Sequence, residues 1–224
     1  MKPVLVLFAT REGHTRLIAE HVSSILQAKG LSAQVICAKE APRDLDLGRY
    51  SAAILAASVH LGKFEPEFVE LVEKHRAKLE QIPAAFIAVS MAEATVEDVH
   101  ASDERRRGAE GEVKQTIERF CQATGWHPEK IKAVAGALLY TQYGVVTRLV
   151  MKFIAKSAGA PTDTSRDHDF TDWKALARFT EAFASGERSR PRSAGGDRSA
   201  ACTPRRRSRS ARRSRRRSTA ILAR

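Results

Sequence analysis

The sequence predicts an α/β protein in which a doubly wound, five-stranded parallel sheet carries helices on both faces. Short, uninterrupted apolar runs alternate along the chain with segments whose apolar side chains recur at helical spacing. Continuous apolar runs are typical of parallel strands, because helices cover both faces of such a sheet. Regular alternation of the two patterns indicates repeated strand-helix-strand units.

The first strand and the first helix have the clearest boundaries. Val4 to Ala9 is an apolar run that ends at a polar loop. From Thr15 onward, apolar residues follow helical spacing until Lys29 and Gly30, which supply a stop signal. The predicted order at the start of the chain is therefore strand, loop, helix.

The next elements continue the alternation. Ser32 to Ala38 is predicted to be the second strand, and Ala52 to Ala57, which is rich in small apolar residues, the third. A helix from Pro66 to about Glu80 follows, because its apolar residues form a stripe along one side.

The segment between the fourth and fifth strands is unusually long. Ala84 to Ser90 is the predicted fourth strand and Ile131 to Leu139 the fifth. Between them, Glu112 to Ala123 is a predicted helix, whereas Ala92 to Gly111 is polar, contains two glycines and is predicted to be a long loop. Loops of this length within a compact domain are usually functional or disordered. Two further helices are predicted, at Tyr143 to Ala158 and at Asp172 to Ala184.

The formal charge of +12 is confined to one end of the chain. Residues 187–224 contain 14 of the 38 Lys and Arg residues and 2 of the 26 acidic residues, so the preceding 186 residues are formally neutral. We therefore predict one domain at residues 1–186 and a disordered Arg/Ser-rich tail at 187–224. The tail either binds RNA or anionic lipid nonspecifically or has no selected role.

The cysteines and the apolar runs indicate a cytoplasmic protein. Cys37, Cys121 and Cys202 have neither metal-ligand nor CxxC spacing, and an odd count does not suggest a disulfide framework. The apolar run near Met1 is too short for a signal peptide, and no run approaches the roughly 18 residues of a spanning helix. We expect no metal site, and membrane contact only at the surface.

The loop after the first strand is the most informative segment for function. A loop that leaves the carboxyl end of a strand and enters a helix presents unpaired backbone N–H groups, and the helix dipole adds positive potential there. Threonine hydroxyls can donate to phosphate oxygens, glycine allows close approach of the backbone, and Thr15 suits the helix N-cap. The loop consists of Thr10, Arg11, Glu12, Gly13, His14 and Thr15.

This loop suits a single phosphate group. Neither the GxGxxG pattern of dinucleotide sites nor the GxxxxGK[ST] pattern of nucleoside triphosphate sites is present. A polar turn with a good helix cap is the alternative interpretation. The position of the loop in the first strand-helix unit, where doubly wound sheets bind ligands, favours the phosphate site.

The segment FATREGHT resembles the phosphate signature of the flavodoxins, which wraps the phosphate of FMN. Most flavodoxins have a third hydroxyl residue where this chain has Glu12, so we expect the Glu12 side chain to point away from the phosphate. An Arg-acid-Gly loop is similar to that of the menaquinone-dependent protoporphyrinogen oxidases, a flavodoxin-like family. Further similar stretches are Ala57 to Phe64, Ala135 to Leu138, Gly159 with Thr162 to Thr164, and Phe170 to Trp173.

The resemblance implies FMN as the cofactor, with its ring between the loops that follow strands three and four. Neither loop has a Trp or Tyr to stack on the ring, and His60 either has a stacking or polar role or is an ordinary surface histidine. Trp126 and Trp173 are interpreted as packing residues rather than flavin contacts. Besides the phosphate loop, the implied cofactor-binding residues are Ser58, His60, Gly62, Ser90, Met91 and Ala92.

The resemblance also implies oxidation of protoporphyrinogen IX, with electrons passed to a quinone such as menaquinone. Arg105, Arg106 and Arg107 are candidates for binding the porphyrin carboxylates, or else form a solvated basic turn. The helix at Tyr143 to Ala158 either packs on the sheet or meets the inner membrane that holds the quinone. The alternative function is that of a flavodoxin-like electron carrier without its own organic substrate, and a third, resting on the tail alone, is an RNA- or membrane-tethering module. No catalytic acid or base is assigned.

Overall fold

The computed structural model describes residues 1–42, 44–138 and 167–186. The strands are β1 (Val4–Ala9), β2 (Ala33–Cys37), β3 (Ala52–His60), β4 (Lys63–Phe64), β5 (Ala84–Ser90), β6 (Lys130–Ala135), β7 (Ala137–Leu138) and β8 (His168–Asp169). Five of them form a parallel sheet in the order β2-β1-β3-β5-β6, which confirms the predicted fold class. The helices are α1 (His14–Ala28), α2 (Pro66–Leu79), α3 (Met91–Glu97), α4 (Asp103–Thr124) and α5 (Trp173–Ala184).

Alternate residues of each strand enter two separate cores. Leu5 and Leu7 of β1 pack on one face of the sheet with residues of α2 and α4. Val6 and Phe8 pack on the other face with residues of α1 and α5. This division follows from the alternation of side chains along a strand, and it explains why the strands are apolar throughout.

The strand order creates a crevice at the carboxyl end of the sheet. The chain passes from β1 outward to β2 and then returns to β3 on the other side of β1. In doubly wound sheets, ligands bind at the carboxyl ends of the strands where the order reverses in this way. The loops that follow β1 and β3 therefore face a common site.

Aromatic rings fix α4 against the sheet. Phe86 of β5 and Phe120 of α4 are stacked with their centroids 4.7 Å apart, and Phe68 of α2 stacks on Phe120 at 5.6 Å. Trp126 is 1% exposed and contacts the same group edge-on. Trp173 is partly buried, packs against the second core and meets His21 of α1 edge-on at 5.0 Å, so both tryptophans are packing residues in the described part of the chain.

The prediction of a long loop at Ala92 to Gly111 is wrong. Two helices, α3 and α4, occupy the segment, and only residues 98–102 connect them. Ser90 caps α3 by accepting from the Glu93 N–H at 3.2 Å, and Ser102 caps α4 by accepting from the Arg105 N–H at 3.3 Å. The low apolar content and the two glycines obscured helices whose start signals were present in the sequence.

Several predicted boundaries also move. The predicted third strand, β3, extends beyond Ala57 to His60 and turns back into β4. The predicted fifth strand is interrupted at Gly136, which separates β6 from β7. No described helix is long and apolar enough to cross a membrane. The predicted helix at Tyr143 to Ala158, the Gly159 and Thr162 to Thr164 stretch, and the tail at 187–224 lie outside the described residues.

The helical state of the 92–111 segment leads to a test with two glycines. Gly108 lies inside α4, and a Cβ added there would meet nothing within 4 Å. Gly108→Ala is therefore expected to raise the free energy of unfolding by about 1 kcal/mol, measured by chemical denaturation.

Gly125 provides the matched control for that test. It has a φ of 67°, and an added Cβ would lie 2.9 Å from Arg76 Nη1, so Gly125→Ala should destabilise the protein. A loss of stability in Gly108→Ala would contradict the helix at this position.

Candidate functional site

The loop between β1 and α1 folds back on itself at Gly13. The Gly13 N–H donates to Thr10 Oγ1 at 2.9 Å, and Gly13 has a φ of 94°, which glycine adopts without steric strain. Gly13 occupies the N-cap position, and α1 begins at His14. The predicted N-cap role of Thr15 is therefore wrong, because the left-handed turn at Gly13 starts the helix before Thr15.

Arg11 ties the loop to the start of α2. Its Nε donates to Glu65 Oε1 at 3.0 Å and its Nη2 to Glu65 Oε2 at 3.3 Å. The Glu65 side chain is 4% exposed, whereas that of Arg11 is 51% exposed. The hydrogen bond with Glu65, and then the charge of Glu65, raise the pKa of the Arg11 guanidinium. A buried carboxylate of this kind needs a fixed cation, so the pair holds the loop in one position.

Glu12 ties the loop to β3. Its Oε1 lies 3.3 Å from His60 Nδ1, and both side chains are about one-third exposed or less. The carboxylate is thus directed toward the β3–β4 hairpin. This contact also explains how an acidic residue is tolerated in a loop that is suited to phosphate.

His14 ties the loop to the segment that precedes α5. Its side chain is buried, and its Nε2 lies 2.8 Å from Thr171 Oγ1 and 3.6 Å from Asp169 Oδ1. The ring also meets Trp173 edge-on with centroids 6.0 Å apart. Burial lowers the pKa of His14, and the charge of Asp169 opposes this shift without cancelling it.

Two hydroxyl groups at the site have no partner within the described residues. Thr15 is 1% exposed, and its Oγ1 makes no hydrogen bond; the buried Oγ of Ser58 likewise makes none. Buried polar atoms without a partner are costly, and they often mark the position of a ligand. Thr15 lies in the first turn of α1, where backbone N–H groups have no intrahelical partner. These groups fit the phosphate of a flavin nucleotide.

The β3–β4 hairpin borders the site on one side. Its two-residue turn consists of Leu61 and Gly62, with φ values of 48° and 72°. Positive φ at both central positions is typical of the tight hairpin turns that match strand twist. Leu61 is 90% exposed, so a bulky apolar side chain projects from a strained position at the hairpin tip.

The end of β5 and the start of α3 border the site on the other side. Ser90 ends β5, and Met91 and Ala92 begin α3. The Ser90 carbonyl accepts from the Gly136 N–H at 3.1 Å, which fixes this corner to the end of β6. A small cavity of about 10 Å³, lined in part by Ser90 and Ala92, separates the corner from α4.

Arg105, Arg106 and Arg107 do not form a single cluster. They are consecutive residues of α4, so their side chains diverge by about 100° per residue around the helix. Arg106 and Arg107 line an open hollow together with Asp103 and Glu110, and Arg106 pairs with Asp103. The two carboxylates offset the two cations, so this hollow is not a strongly positive site for an anion.

The structure joins the loop from Thr10 to Thr15 to His60 through Glu12. Ser58 lies on β3 and Gly62 in the β3–β4 turn, and Ser90, Met91 and Ala92 lie at the end of the neighbouring strand β5 and the start of α3. Two residues that hold the loop in place, Glu65 and Thr171, were not predicted from the sequence. Glu65 precedes a helix-initiating proline, and nothing in its spacing indicated a pair with Arg11. Thr171 stood within a noted stretch, but no sequence signal linked it to His14.

The chain matches known proteins over most of its length. A family model described as a flavodoxin domain matches residues 5–165. The protoporphyrinogen IX dehydrogenase (quinone) of Escherichia coli K12 is 31% identical over 182 residues, which cover 80% of this chain and 93% of that protein. The enzyme of the same name from Leishmania major is 27% identical and covers 80% of this chain and 74% of that protein.

Flavodoxins of solved structure align along nearly their full length, as in the following example. Oxidised flavodoxin 1 of Bacillus cereus is 15% identical, with a TM-score of 0.45, over 82% of this chain and 97% of that one. The assignment to a family rests on the family model and on the identity to the Escherichia coli protein. Together with the strand order described above, they show that the chain belongs to the flavodoxin domain family, whose members bind a flavin, and that it is related to the protoporphyrinogen IX dehydrogenases (quinone).

Proposed function

We propose that the protein binds FMN and oxidises protoporphyrinogen IX to protoporphyrin IX, passing the electrons to a quinone such as menaquinone. The cofactor assignment rests on the conformation of the loop from Thr10 to Thr15. The side chains of Arg11, Glu12 and His14 contact α2, β3 and the segment before α5. The substrate assignment is supported by the similarity to the two named dehydrogenases.

The loop suits FMN better than a dinucleotide. The donors that would hold a phosphate are the Thr15 hydroxyl and the backbone N–H groups at the start of α1, a set that suits a single anion. Gly13, with a φ of 94°, has no Cβ, so its backbone would be able to approach a bound anion closely. A second phosphate would need the glycine pattern that this loop lacks.

The residues of the chain bind and orient the cofactor, and the flavin supplies the redox chemistry when it is bound. The Ser58 hydroxyl, which has no partner among the residues that the structure describes, lies near the predicted ring position, and the Ser90 corner would border its opposite side. The Glu12 and His60 pair links the phosphate loop to the hairpin, so that both parts of the cofactor site keep a fixed separation.

Leu61 is the proposed contact for the apolar substrate or the quinone. A residue with a φ of 48° costs about 1 kcal/mol or more unless it is Gly or Asn, and a side chain that is 90% exposed gains little from burial. Contact with an apolar molecule at the hairpin tip would offset that cost. Arg105 and Arg107, which are exposed on α4, are separate candidates for binding the carboxylates of protoporphyrinogen IX.

The first turns of α4 would provide one wall of the substrate site. The cavity beside Ser90 and Ala92 is also lined by residues of α4, so this level of the helix meets the end of β5; these residues are Glu112, Val113, Thr116 and Ile117. The preceding part of α4, from Asp103 to Gly111, therefore extends beyond the sheet by about 13 Å at 1.5 Å per residue. An electron carrier has no evident need for this extension, which favours an enzyme.

Thr15→Val separates the proposed cofactor role from a role in folding. Because the Thr15 hydroxyl has no partner within the described residues, its removal should leave the free energy of unfolding of the flavin-free protein unchanged or slightly higher. The loss of a hydrogen bond to a charged phosphate should weaken FMN binding roughly ten- to hundredfold. Flavin fluorescence quenching measures this affinity.

Thr124→Val is the matched control. The Thr124 hydroxyl is buried and donates to the Phe120 carbonyl at 2.9 Å, at the end of α4 that leads into β6. This variant should lose stability and keep its FMN affinity. Unchanged FMN affinity in Thr15→Val, or stoichiometric FAD in the purified protein, would contradict the cofactor assignment.

Leu61→Asn tests the substrate assignment. Asn tolerates the left-handed backbone, so flavin content and stability should be kept. Loss of the apolar contact should lower turnover of protoporphyrinogen IX with a menaquinone analogue by about tenfold, assayed without oxygen. Leu17→Asn, on an exposed position of α1, serves as the control and should not change turnover.

The same assay with the wild-type protein distinguishes the two candidate functions, an enzyme and an electron carrier. Reduction of the flavin by a small donor with no turnover of protoporphyrinogen IX would favour the carrier. Full turnover in Leu61→Asn would show that the hairpin tip does not contact either substrate.

A further inference from the structure

We infer that Thr171 positions the phosphate-binding loop through His14, by holding the imidazole as the tautomer that carries its proton on Nε2. This inference rests on the proposed binding of FMN and names a positioning residue for that site. Within the described part of the chain, no hydrogen bond joins Thr171 to β1 or to the backbone of the loop, so its effect on the loop is exerted through the His14 side chain.

The position of Thr171 is fixed independently of His14. Its backbone N–H donates to Asp169 Oδ1 at 2.9 Å, and the preceding Phe170 N–H donates to the Gly136 carbonyl at 3.2 Å. Asp169 is held in turn, because Ala137 of β7 pairs with it in an antiparallel ladder. Thr171 is thus a rigid support rather than a side chain that adapts to the loop.

The direction of its hydroxyl determines the tautomer of His14. Thr171 Oγ1 lies 2.9 Å from the Ala135 carbonyl oxygen, which can only accept, so the single hydroxyl proton is donated there. At the 2.8 Å contact with His14, Thr171 Oγ1 must therefore accept and Nε2 must donate. Asp169 Oδ1, at 3.6 Å from the same nitrogen, is a second acceptor and favours the same tautomer.

The surroundings of His14 keep one proton on the ring. The side chain is 7% exposed and Trp173 covers one edge, so burial lowers the pKa of His14 and the imidazole is neutral at pH 7. A neutral histidine has one N–H, and a buried N–H without an acceptor is costly. Replacing the hydroxyl of Thr171 would leave this donor with only the longer contact to Asp169.

His14 lies at the start of α1, where its orientation affects the groups that would bind the phosphate of the cofactor. It is the first residue of the helix, directly after the left-handed Gly13, so its backbone N–H is one of the groups available to the anion. Fixing the side chain fixes the orientation of that peptide group and of the adjacent Thr15. Thr171 therefore acts on the phosphate end of the cofactor and not on the ring end.

The test compares FMN with riboflavin, which lacks the phosphate, in the full-length protein. Thr171→Val should bind FMN about tenfold more weakly, equal to about 1.4 kcal/mol, while its affinity for riboflavin stays within about twofold of the wild type. Thr171→Ser restores the hydroxyl and should bind FMN within about twofold of the wild type. Thr180→Val is the matched control, since Thr180 is fully buried on α5 and donates only to the Leu176 carbonyl at 2.9 Å.

Two further measurements show whether Thr171 acts through His14. In a His14→Ala background, Thr171→Val should change FMN affinity by less than about twofold, because the intermediary is already absent. Nitrogen NMR of the flavin-free wild-type protein should show Nε2 of His14 protonated and Nδ1 unprotonated, a readout that remains available even if Thr171→Val fails to fold.

Each contrary result has a distinct meaning. Equal FMN affinity in the wild type and Thr171→Val, an equal loss of FMN and riboflavin affinity, or a proton on Nδ1 would overturn the role of Thr171 alone. Absence of FMN binding by the wild-type protein would refute the proposed function together with this inference.

Discussion

The N-terminus of α1 imposes the constraint on which the site depends. A helix that starts at the carboxyl end of a buried strand presents N–H groups that lack intrahelical partners. The left-handed turn at Gly13 begins α1 at His14, and the Thr15 hydroxyl adds a further donor without a partner in the described residues. Under the proposed function, a phosphate bound here would accept hydrogen bonds from the groups that have no other partner. The neighbouring side chains must therefore leave the space for the anion open.

The loop keeps that space open by directing its larger side chains toward other elements. Arg11 pairs with Glu65 at the start of α2, Glu12 with His60 at the end of β3, and His14 with the segment before α5. The three contacts come from parts of the chain that are distant in sequence. They restrain a short loop in three directions, so that little conformational entropy remains to be lost when a ligand binds.

The sequence predicted those parts of the molecule whose signals are local. The apolar strands, α1 and the position of the phosphate loop followed from short patterns around β1. The α3–α4 pair was missed because the glycines and polar residues of 92–111 outweighed two N-cap signals, at Ser90 and Ser102. The contacts of Glu65 and Thr171 were beyond prediction, since a pair between distant residues depends on the finished fold. The contact between Glu12 and His60 was not predicted either, for the same reason.

The central claim is that the loop is already arranged for phosphate before the cofactor binds. Crystal structures of the protein with and without FMN test this most directly. We expect the phosphate within hydrogen-bond distance of Thr15 Oγ1, with the Arg11–Glu65 and His14–Thr171 contacts present in both structures. A phosphate bound elsewhere, or a loop that breaks these two contacts when FMN binds, would contradict the account.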